Sequence, residues 1–247
     1  MTVRGVTREP NSEGHVVNFE AWEPVYEAIL ADFGYGRGGD ERARDVLAEL
    51  ADPFDTDRLR PIEGSRVAVA GAGPSLSDET AVAASADYVI AASTAGDVLR
   101  DAGVTVDLLV TDLDKTPETA RELTRDGVPV AAHAHGDNVP AVREWVPRFD
   151  AEHVLPTTQA EPVGPVVNYG GFTDGDRGAF LADAFGAETL VFPGWDFEDP
   201  SVGAEKAKKL DWAERLLGWL ERRRDEQFAV LDGRRESLVP LEGEQQE

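Results

Sequence analysis

From residue 66 onward, short β-rich apolar runs alternate with helix-like segments. The strand-like runs are RVAVAG, ADYVIAAS, VDLLVTD, VPVAAHA, HVLPTT and ETLVFPG. Apolar strands that alternate with helices predict a parallel sheet covered by helices on both faces. We therefore expect an α/β fold with a Rossmann-like, mostly parallel sheet, helices on both faces and an N-terminal helical appendage.

The segments outside this alternation divide the chain into three predicted parts. Residues 1–60 form an N-terminal helical segment, because NFEAWEPVYEAILADFGYG and ERARDVLAELA have helical apolar spacing, with GRGGD as a break between them. Residues 61–235 form the α/β domain, which includes a long helix from about Gly203 to Arg224 and a last strand in QFAVLDG. Residues 236–247 form a polar tail that we expect to be disordered.

The charge balance restricts the partners of the chain. It has 48 acidic and 24 basic residues and a formal net charge of −24. Such a surface repels nucleic acid and anionic membranes, and dispersed acids are typical of proteins from salt-loving archaea. There is no signal-peptide pattern, no apolar run of about 20 residues and no cysteine. We expect a cytoplasmic protein without disulfides or thiolate metal sites.

Polar motifs follow several predicted strands directly. They are GAGPSL, TDLD, HAHGDN and GWDFED. Because the carboxyl ends of parallel strands share one edge of a sheet, ligands bind at that edge and these motifs meet there. The predicted site is therefore a crevice at the carboxyl edge of the sheet.

The turn GAGPSL predicts a phosphate contact. Gly71 and Gly73 permit a tight turn whose amide groups, with Ser75, can face a phosphate at a helix N-terminus. The turn lacks the third glycine of a dinucleotide fingerprint and the G-K-[ST] of a Walker A loop. An ordinary glycine-containing turn is the alternative.

The motif TDLDKT predicts a metal site. Alternate residues that leave a strand point the same way, so Asp112 and Asp114 can converge on one hard cation. Mg²⁺ prefers oxygen ligands and keeps positions for water and phosphate. Capping of the next helix explains one of the two aspartates but not both.

A second acidic pair lies in NYGGFTDGDRGAF. Asp174 and Asp176 are candidate catalytic residues, and Arg177 at the start of the helix can contact a phosphate. The alternative is a glycine-rich turn in which Asp174 is a helix N-cap.

Histidines and lysines are both scarce. His133 and His135 alternate in AAHAHGDN, which allows a zinc site. Because the chain has only four histidines, the pattern favours a polar contact to substrate or phosphate, or a loop histidine with its own hydrogen bonds. Four lysines stand against twenty arginines: Lys115 beside the aspartate pair, and Lys206, Lys208 and Lys209 in EKAKKLDW. In a chain that otherwise avoids lysine, this clustering calls for a local explanation, and a solvated helix face without a special role is the alternative.

Six motifs, taken in their order along the chain, resemble those of the archaeal 6-hydroxymethyl-7,8-dihydropterin pyrophosphokinase family. They are GAGPSL, TDLD, HAHGDN, NYGGFTDGDRGAF, GWDF and KAKKLDWA. That family is related in fold to the catalytic domain of thiamin pyrophosphokinase. The resemblance covers about residues 64–220, and Lys115 departs from the small residue expected there. It implies Mg²⁺-dependent transfer of diphosphate from ATP to a reduced hydroxymethylpterin, with release of AMP, in reduced pterin or folate biosynthesis.

The resemblance also assigns roles to residues. It implies that Asp112 and Asp114 bind Mg²⁺, and that an aspartate such as Asp174, Asp176 or Asp196 completes the metal shell or orients the substrate hydroxyl. The residues expected to bind ATP or its phosphates are Gly71, Gly73, Ser75, Arg177, Lys206 and Lys209. The residues expected to contact the pterin are Asn168, Asp196 and His135.

Other functions stay open on the residues alone. Thiamin pyrophosphokinase activity shares the chemistry, and many nucleotide-sugar glycosyltransferases hold their metal with a D-x-D motif. A non-catalytic nucleotide-binding domain needs the glycine turn but has no use for two aspartate pairs. As partners we expect ATP and a reduced hydroxymethylpterin, with no nucleic acid and no membrane, and we consider a homo-oligomer.

Overall fold

Six strands form one parallel sheet. The computed structural model describes residues 17–241. The strands are β1 (Arg66–Ala70), β2 (Tyr88–Ala92), β3 (Leu108–Thr111), β4 (Val130–Ala134), β5 (Val154–Thr158) and β6 (Thr189–Val191). Their order is β5-β4-β3-β2-β1-β6, and each neighbouring pair is parallel. The direction of strand order reverses between β1 and β6, so a crevice opens there at the carboxyl ends.

Eight α-helices surround this sheet within the described residues. They are α1 (Phe19–Phe33), α2 (Arg37–Leu50), α3 (Leu76–Ala84), α4 (Ala95–Asp101), α5 (Pro117–Arg125), α6 (Val139–Trp145), α7 (Asp174–Ala184) and α8 (Ala204–Arg224). Buried residues of α1, α7 and α8 form one hydrophobic core, and those of α2 to α6 form another. The predicted α/β fold with helices on both faces is confirmed.

The strands supply apolar side chains to both cores. Val67 and Val69 of β1 belong to the core with α1, α7 and α8, whereas Ala68 and Ala70 belong to the other. This follows from the two-residue period of a strand, because successive side chains point to opposite faces. The continuous apolar runs in the sequence therefore reflect burial on both sides.

The N-terminal helices complete both helical layers. Trp22 of α1 is fully buried in one core, and Leu47 of α2 is fully buried in the other. The predicted break at GRGGD is wrong, because α2 begins at Arg37 and takes Gly38 and Gly39 into its first turn. The connection is only Gly34 to Gly36, with the left-handed Gly34 ending α1.

The C-terminal region follows the prediction in part. The long helix is confirmed as α8, but the predicted strand in QFAVLDG is wrong, because Ala229–Leu231 is a 3-10 turn. Phe228 and Leu231 are fully buried against the helices, so packing satisfies these apolar residues without strand pairing. In the predicted tail, Leu241 is buried, and residues 1–16 and 242–247 lie outside the described residues. The three predicted domain limits stay predictions.

No helix between residues 17 and 241 combines the length and the apolar character that crossing a bilayer requires.

Candidate active site

A cavity of about 1080 Å³ lies at the carboxyl ends of the strands. Its walls come from the loops that follow β1 to β6, from the α1–α2 connection and the start of α2, and from the first turns of α8. The cavity brings together most of the residues predicted from the motifs. The predicted position of the site at the carboxyl edge agrees with this geometry.

Asp112 and Asp114 both line the cavity, but their convergence does not come from an extended strand. Leu113 between them has a left-handed backbone with φ of 67° and a buried side chain. A left-handed leucine costs about 1–3 kcal/mol, and such strain concentrates at functional sites. The side chain of Asn138 donates to the Asp112 carbonyl oxygen over 2.8 Å and helps to hold this turn.

The environment separates the pKa values of the two aspartates. Burial disfavours the charged form of Asp112, but contacts with His135 and Asp114 outweigh it and hold the pKa of Asp112 well below its usual range. His135 Nε2 lies 3.4 Å from Asp112 Oδ2. Burial and the neighbouring Asp112 raise the pKa of Asp114 to about 6. The pair thus concentrates negative charge at the end of β3.

Asp174 is the third carboxylate of this part of the cavity. Burial, and then the charge of Asp112, raise the pKa of Asp174 to about 7, although Arg177 opposes the shift. Arg177 Nη1 lies 3.0 Å from Asp174 Oδ1, and Arg177 Nη2 donates to Gln159 Oε1 over 3.1 Å. Asp112 thus opposes the ionisation of both Asp114 and Asp174, and carboxylates in this relation favour a cation between them.

Asp176 has a different role from the one predicted. It is fully buried and does not line the cavity; its oxygens accept hydrogen bonds from the Phe172 and Thr173 amides and from the Thr173 hydroxyl. With Thr173 as N-cap it forms a capping box for α7, so Asp174 is not the cap. The placement of Asp176 among the catalytic residues is corrected: this carboxylate holds the loop that presents Asp174.

The glycine turn after β1 also differs from its prediction. The amides of Gly71 and Gly73 donate to the carbonyl oxygens of Pro193 and Gly194, both over 2.9 Å. A Cβ at Gly71 would lie 2.5 Å from Gly194 O. Both glycines line the cavity, but their close approach is to the turn after β6, and their amides are not free for a phosphate.

Ser75 and Asp196 form the next contact between these two turns. The Ser75 amide donates to Asp196 Oδ2 over 2.9 Å, and Ser75 does not line the cavity. This corrects the predicted phosphate contact of Ser75. Asp196 does line the cavity, between the aromatic neighbours Trp195 and Phe197.

Of the three residues predicted to contact the pterin, two line the cavity and one does not. His135 lines the cavity, as Asp196 does, but Asn168 does not. Asn168 accepts from the Gly170 amide and donates to the Ala160 carbonyl oxygen, both over 2.8 Å. Asn168 therefore shapes the NYGG turn, which corrects its assignment to substrate binding.

Three of the four lysines line the cavity. Lys115, Lys206 and Lys209 do so, whereas Lys208 turns away and pairs with Asp32 at 2.8 Å. Burial, and then the nearby Lys115, lower the pKa of Lys206, so these cations lie close together. In a chain with a net charge of −24, this clustering indicates a site for an anion.

His133 points away from the cavity. It is 1% exposed, burial lowers its pKa, and its Nδ1 lies 3.1 Å from Thr157 Oγ1. The two histidines therefore do not converge on one metal, which removes the zinc alternative. Of these two histidines, His135 is the one that contacts Asp112.

Several cavity residues were missed by the sequence interpretation. They are Tyr35, Asp40, Arg42, Ser93, Gln159 and Trp195. GRGGD was interpreted as a break, and two adjacent glycines before an acid were the signal that could have marked Asp40 and Arg42. Ser93 has a left-handed backbone with φ of 50°, which nothing in its sequence reveals.

A family model described as "6-hydroxymethylpterin diphosphokinase MptE-like" matches residues 44–201, more than half of the chain. The chain belongs to this MptE-like family. Three relatives are each named 6-hydroxymethyl-7,8-dihydropterin pyrophosphokinase. Those of Methanothermobacter thermautotrophicus and Pyrococcus furiosus are both 38% identical to it, over 83% of this chain and 96% and 95% of the respective relative. That of Methanocaldococcus jannaschii is 32% identical over 83% of this chain and 96% of the relative.

Membership of the MptE-like family confirms the resemblance and the prediction of an enzyme of the pyrophosphokinase class. The three relatives are archaeal, as expected from the archaeal family that the motifs resemble. The family favours a pterin pyrophosphokinase over thiamin pyrophosphokinase, glycosyltransferase and non-catalytic alternatives.

The donor set of the MptE-like site fits Mg²⁺. Asp112, Asp114 and Asp174 supply hard oxygen ligands. Within residues 17–241 no group of three or more His, Asp or Glu side chains is preassembled around one metal position. A site with few protein ligands, completed by water and phosphate oxygens, is the arrangement that Mg²⁺ usually adopts.

Proposed function

We propose that this protein transfers the diphosphate group of ATP to 6-hydroxymethyl-7,8-dihydropterin in a Mg²⁺-dependent reaction that releases AMP. One observation carries the proposal: three carboxylates line one cavity whose walls also carry cations. The carboxylates are Asp112, Asp114 and Asp174, and the cations are Arg42, Lys115, Lys206 and Lys209. The names of the three relatives support the pterin as acceptor.

Asp112 and Asp114 would hold the metal ion, with Asp174 as a further ligand. Bound Mg²⁺ would neutralise part of the charge on the phosphate oxygens. The charge of the ion would also offset the burial and the repulsion from Asp112 that together raise the pKa of Asp174 to about 7. Arg177, paired with Asp174, fixes the direction of that carboxylate.

The cations would bind the phosphate chain of ATP. Arg42, Lys115 and Lys206 have no ion pair among the described residues, whereas Lys209 lies 3.7 Å from Glu205. Unpaired cations in a strongly acidic protein are available to a polyanionic substrate. Diphosphoryl transfer depends mainly on positioning and on charge neutralisation, which these side chains provide.

Asp196 is a candidate contact for the acceptor. Its Oδ2 is fixed by the Ser75 amide at 2.9 Å. No hydrogen bond reaches its Oδ1 from the described part of the chain, so this oxygen can accept from a substrate N–H or O–H group.

The test is product analysis by ³¹P NMR with ATP, Mg²⁺ and the reduced hydroxymethylpterin. The proposal predicts AMP and a pterin diphosphate in equal amounts. Formation of ADP and a pterin monophosphate would contradict diphosphate transfer. Equal turnover with thiamin would contradict the pterin as the specific acceptor.

A further inference from the structure

A buried carboxylate of the N-terminal segment lies in the wall of the cavity that contains the proposed metal site. Asp40, in the first turn of α2, is 4% exposed. Its Oδ1 accepts from the Gly136 amide over 2.7 Å, and its Oδ2 accepts from Tyr26 Oη over 2.7 Å and from Gln159 Nε2 over 2.8 Å. These three donors offset the cost of burying the carboxylate and leave it few oxygen lone pairs for a substrate.

One set of contacts leads from Asp40 to Asp112. Asp40 fixes the amide of Gly136, which directly follows His135 in the loop after β4. His135 Nε2 lies 3.4 Å from Asp112 Oδ2. The position of this loop therefore determines how His135 contacts Asp112, one of the proposed metal ligands.

A second set of contacts leads from Asp40 to Asp174. The Gln159 amide group donates to Asp40 and accepts from Arg177 Nη2 over 3.1 Å, so both partners fix its orientation. Arg177 in turn pairs with Asp174 at 3.0 Å. Gln159 is 4% exposed, and α1 also holds its backbone, because Trp22 Nε1 donates to its carbonyl oxygen over 2.9 Å.

We propose that Asp40 and Gln159 are positioning residues for the metal site. Asp40 fixes partners of two of the three carboxylates, and Gln159 transmits its position to Arg177. The inference rests on the proposed function only because it takes Asp112, Asp114 and Asp174 as the metal ligands. It gives the α1–α2 segment a direct part in the site, beyond its contribution to the hydrophobic cores.

The test is the affinity for Mn²⁺ alone, measured by electron paramagnetic resonance in wild type and in Asp40→Asn. Asparagine offers one acceptor oxygen where three donors converge, so at least one set of contacts breaks. Changes in residues that support metal ligands typically cost about 10- to 100-fold in metal affinity. We expect a weakening of at least about tenfold.

Glu221→Gln is the matched control. Glu221 is 7% exposed, lies in α8 away from the cavity and accepts three hydrogen bonds, from the Phe228 amide and from Nε and Nη2 of Arg235. This variant should lose stability but keep wild-type Mn²⁺ affinity. Equal Mn²⁺ affinity of Asp40→Asn and wild type would overturn the proposal.

Two further variants keep the test decisive if Asp40→Asn does not fold. Gln159→Leu removes the side-chain contacts to Asp40 and Arg177 and should weaken Mn²⁺ binding about tenfold. Wild-type Mn²⁺ affinity in this variant would overturn the role of Gln159.

In the double variant Asp40→Asn with Gln159→Glu, the introduced amide can donate to the introduced carboxylate, which still accepts from Arg177. It should bind Mn²⁺ more tightly than Gln159→Glu, in which two buried carboxylates face each other. Equal Mn²⁺ affinity of these two variants would contradict the proposal that Gln159 transmits the position of Asp40 to Arg177.

These measurements use neither ATP nor pterin. Absence of Mn²⁺ binding in wild type would therefore refute the metal site of the proposed function. Binding in wild type that is unchanged in Asp40→Asn refutes only the positioning role.

Discussion

Arg177 Nη1 lies 3.0 Å from Asp174 Oδ1, and only 8% and 12% of the two side chains are exposed. An arginine so close normally lowers the pKa of a carboxyl group. Here burial and the charge of Asp112 outweigh it, and the pKa of Asp174 rises to about 7. The ion pair holds a carboxylate in place without satisfying its charge, which leaves Asp174 suited to a cation.

This pKa predicts how pH and Mg²⁺ affect stability together. An unfolded aspartate has a pKa of about 3.9, so without metal the contribution of Asp174 to stability falls as pH rises from about 4 to 7. Mg²⁺ needs the ionised form, and its affinity should fall about tenfold per pH unit below 7. Mg²⁺ should therefore raise the melting temperature more at pH 8 than at pH 5.5. An equal effect at both pH values, or an undiminished pH dependence in Asp174→Asn, would count against this.

The lysines of α8 provide a matched pair for ATP binding. Lys206 lines the cavity, whereas Lys208 pairs with Asp32 at 2.8 Å outside it. A hydrogen bond to a charged group contributes about 1.5–3 kcal/mol, so Lys206→Gln should raise the KM for ATP about tenfold or more. Lys208→Gln should leave that KM near the wild-type value. Steady-state kinetics check both, and an equal change in the two variants would be inconsistent with a phosphate contact of Lys206.

Asp176 should matter for folding. Its carboxylate accepts the hydrogen bonds that cap α7 and fix the preceding loop. Asp176→Ala should lower the free energy of unfolding by about 2–4 kcal/mol, measured by urea denaturation, because buried donors lose their acceptor. An unchanged free energy of unfolding with complete loss of activity would instead indicate a direct catalytic role.

The surface charge predicts stabilisation by salt. A net charge of −24 destabilises the compact state by self-repulsion, and salt screens this repulsion. The melting temperature should rise between about 0.1 M and about 2 M KCl, a range over which the screening length becomes much shorter. Circular dichroism during heating would check this, and a fall over that range would contradict it.

The sequence was informative where local pattern decides structure. Strand and helix periodicity is local, so the parallel sheet, its two helical layers and the long α8 could be predicted. The carboxyl-edge rule then placed Asp112, Asp114 and Asp196 in one crevice. These predictions needed only the order of elements and the residues that follow each strand.

Contacts between distant segments could not be predicted in this way. The amides of Gly71 and Gly73 are taken by a turn far later in the chain, and Asp176 is used by its own loop. Asp40 is one of 48 acidic residues, and although two glycines precede it, no local pattern shows that its carboxylate is buried. The left-handed Leu113 likewise depends on packing of its side chain in the core.

The most direct test of the metal-dependent transfer is AMP release from ATP and the reduced hydroxymethylpterin as Mg²⁺ is varied. Wild type, Asp112→Asn and Asp101→Asn would be compared, since Asp101 is an exposed acid at the end of α4 that does not line the cavity. The account predicts Mg²⁺-dependent AMP formation in wild type and Asp101→Asn, and at least about a 100-fold loss in Asp112→Asn. Mg²⁺-dependent AMP formation by Asp112→Asn at the wild-type rate would contradict it.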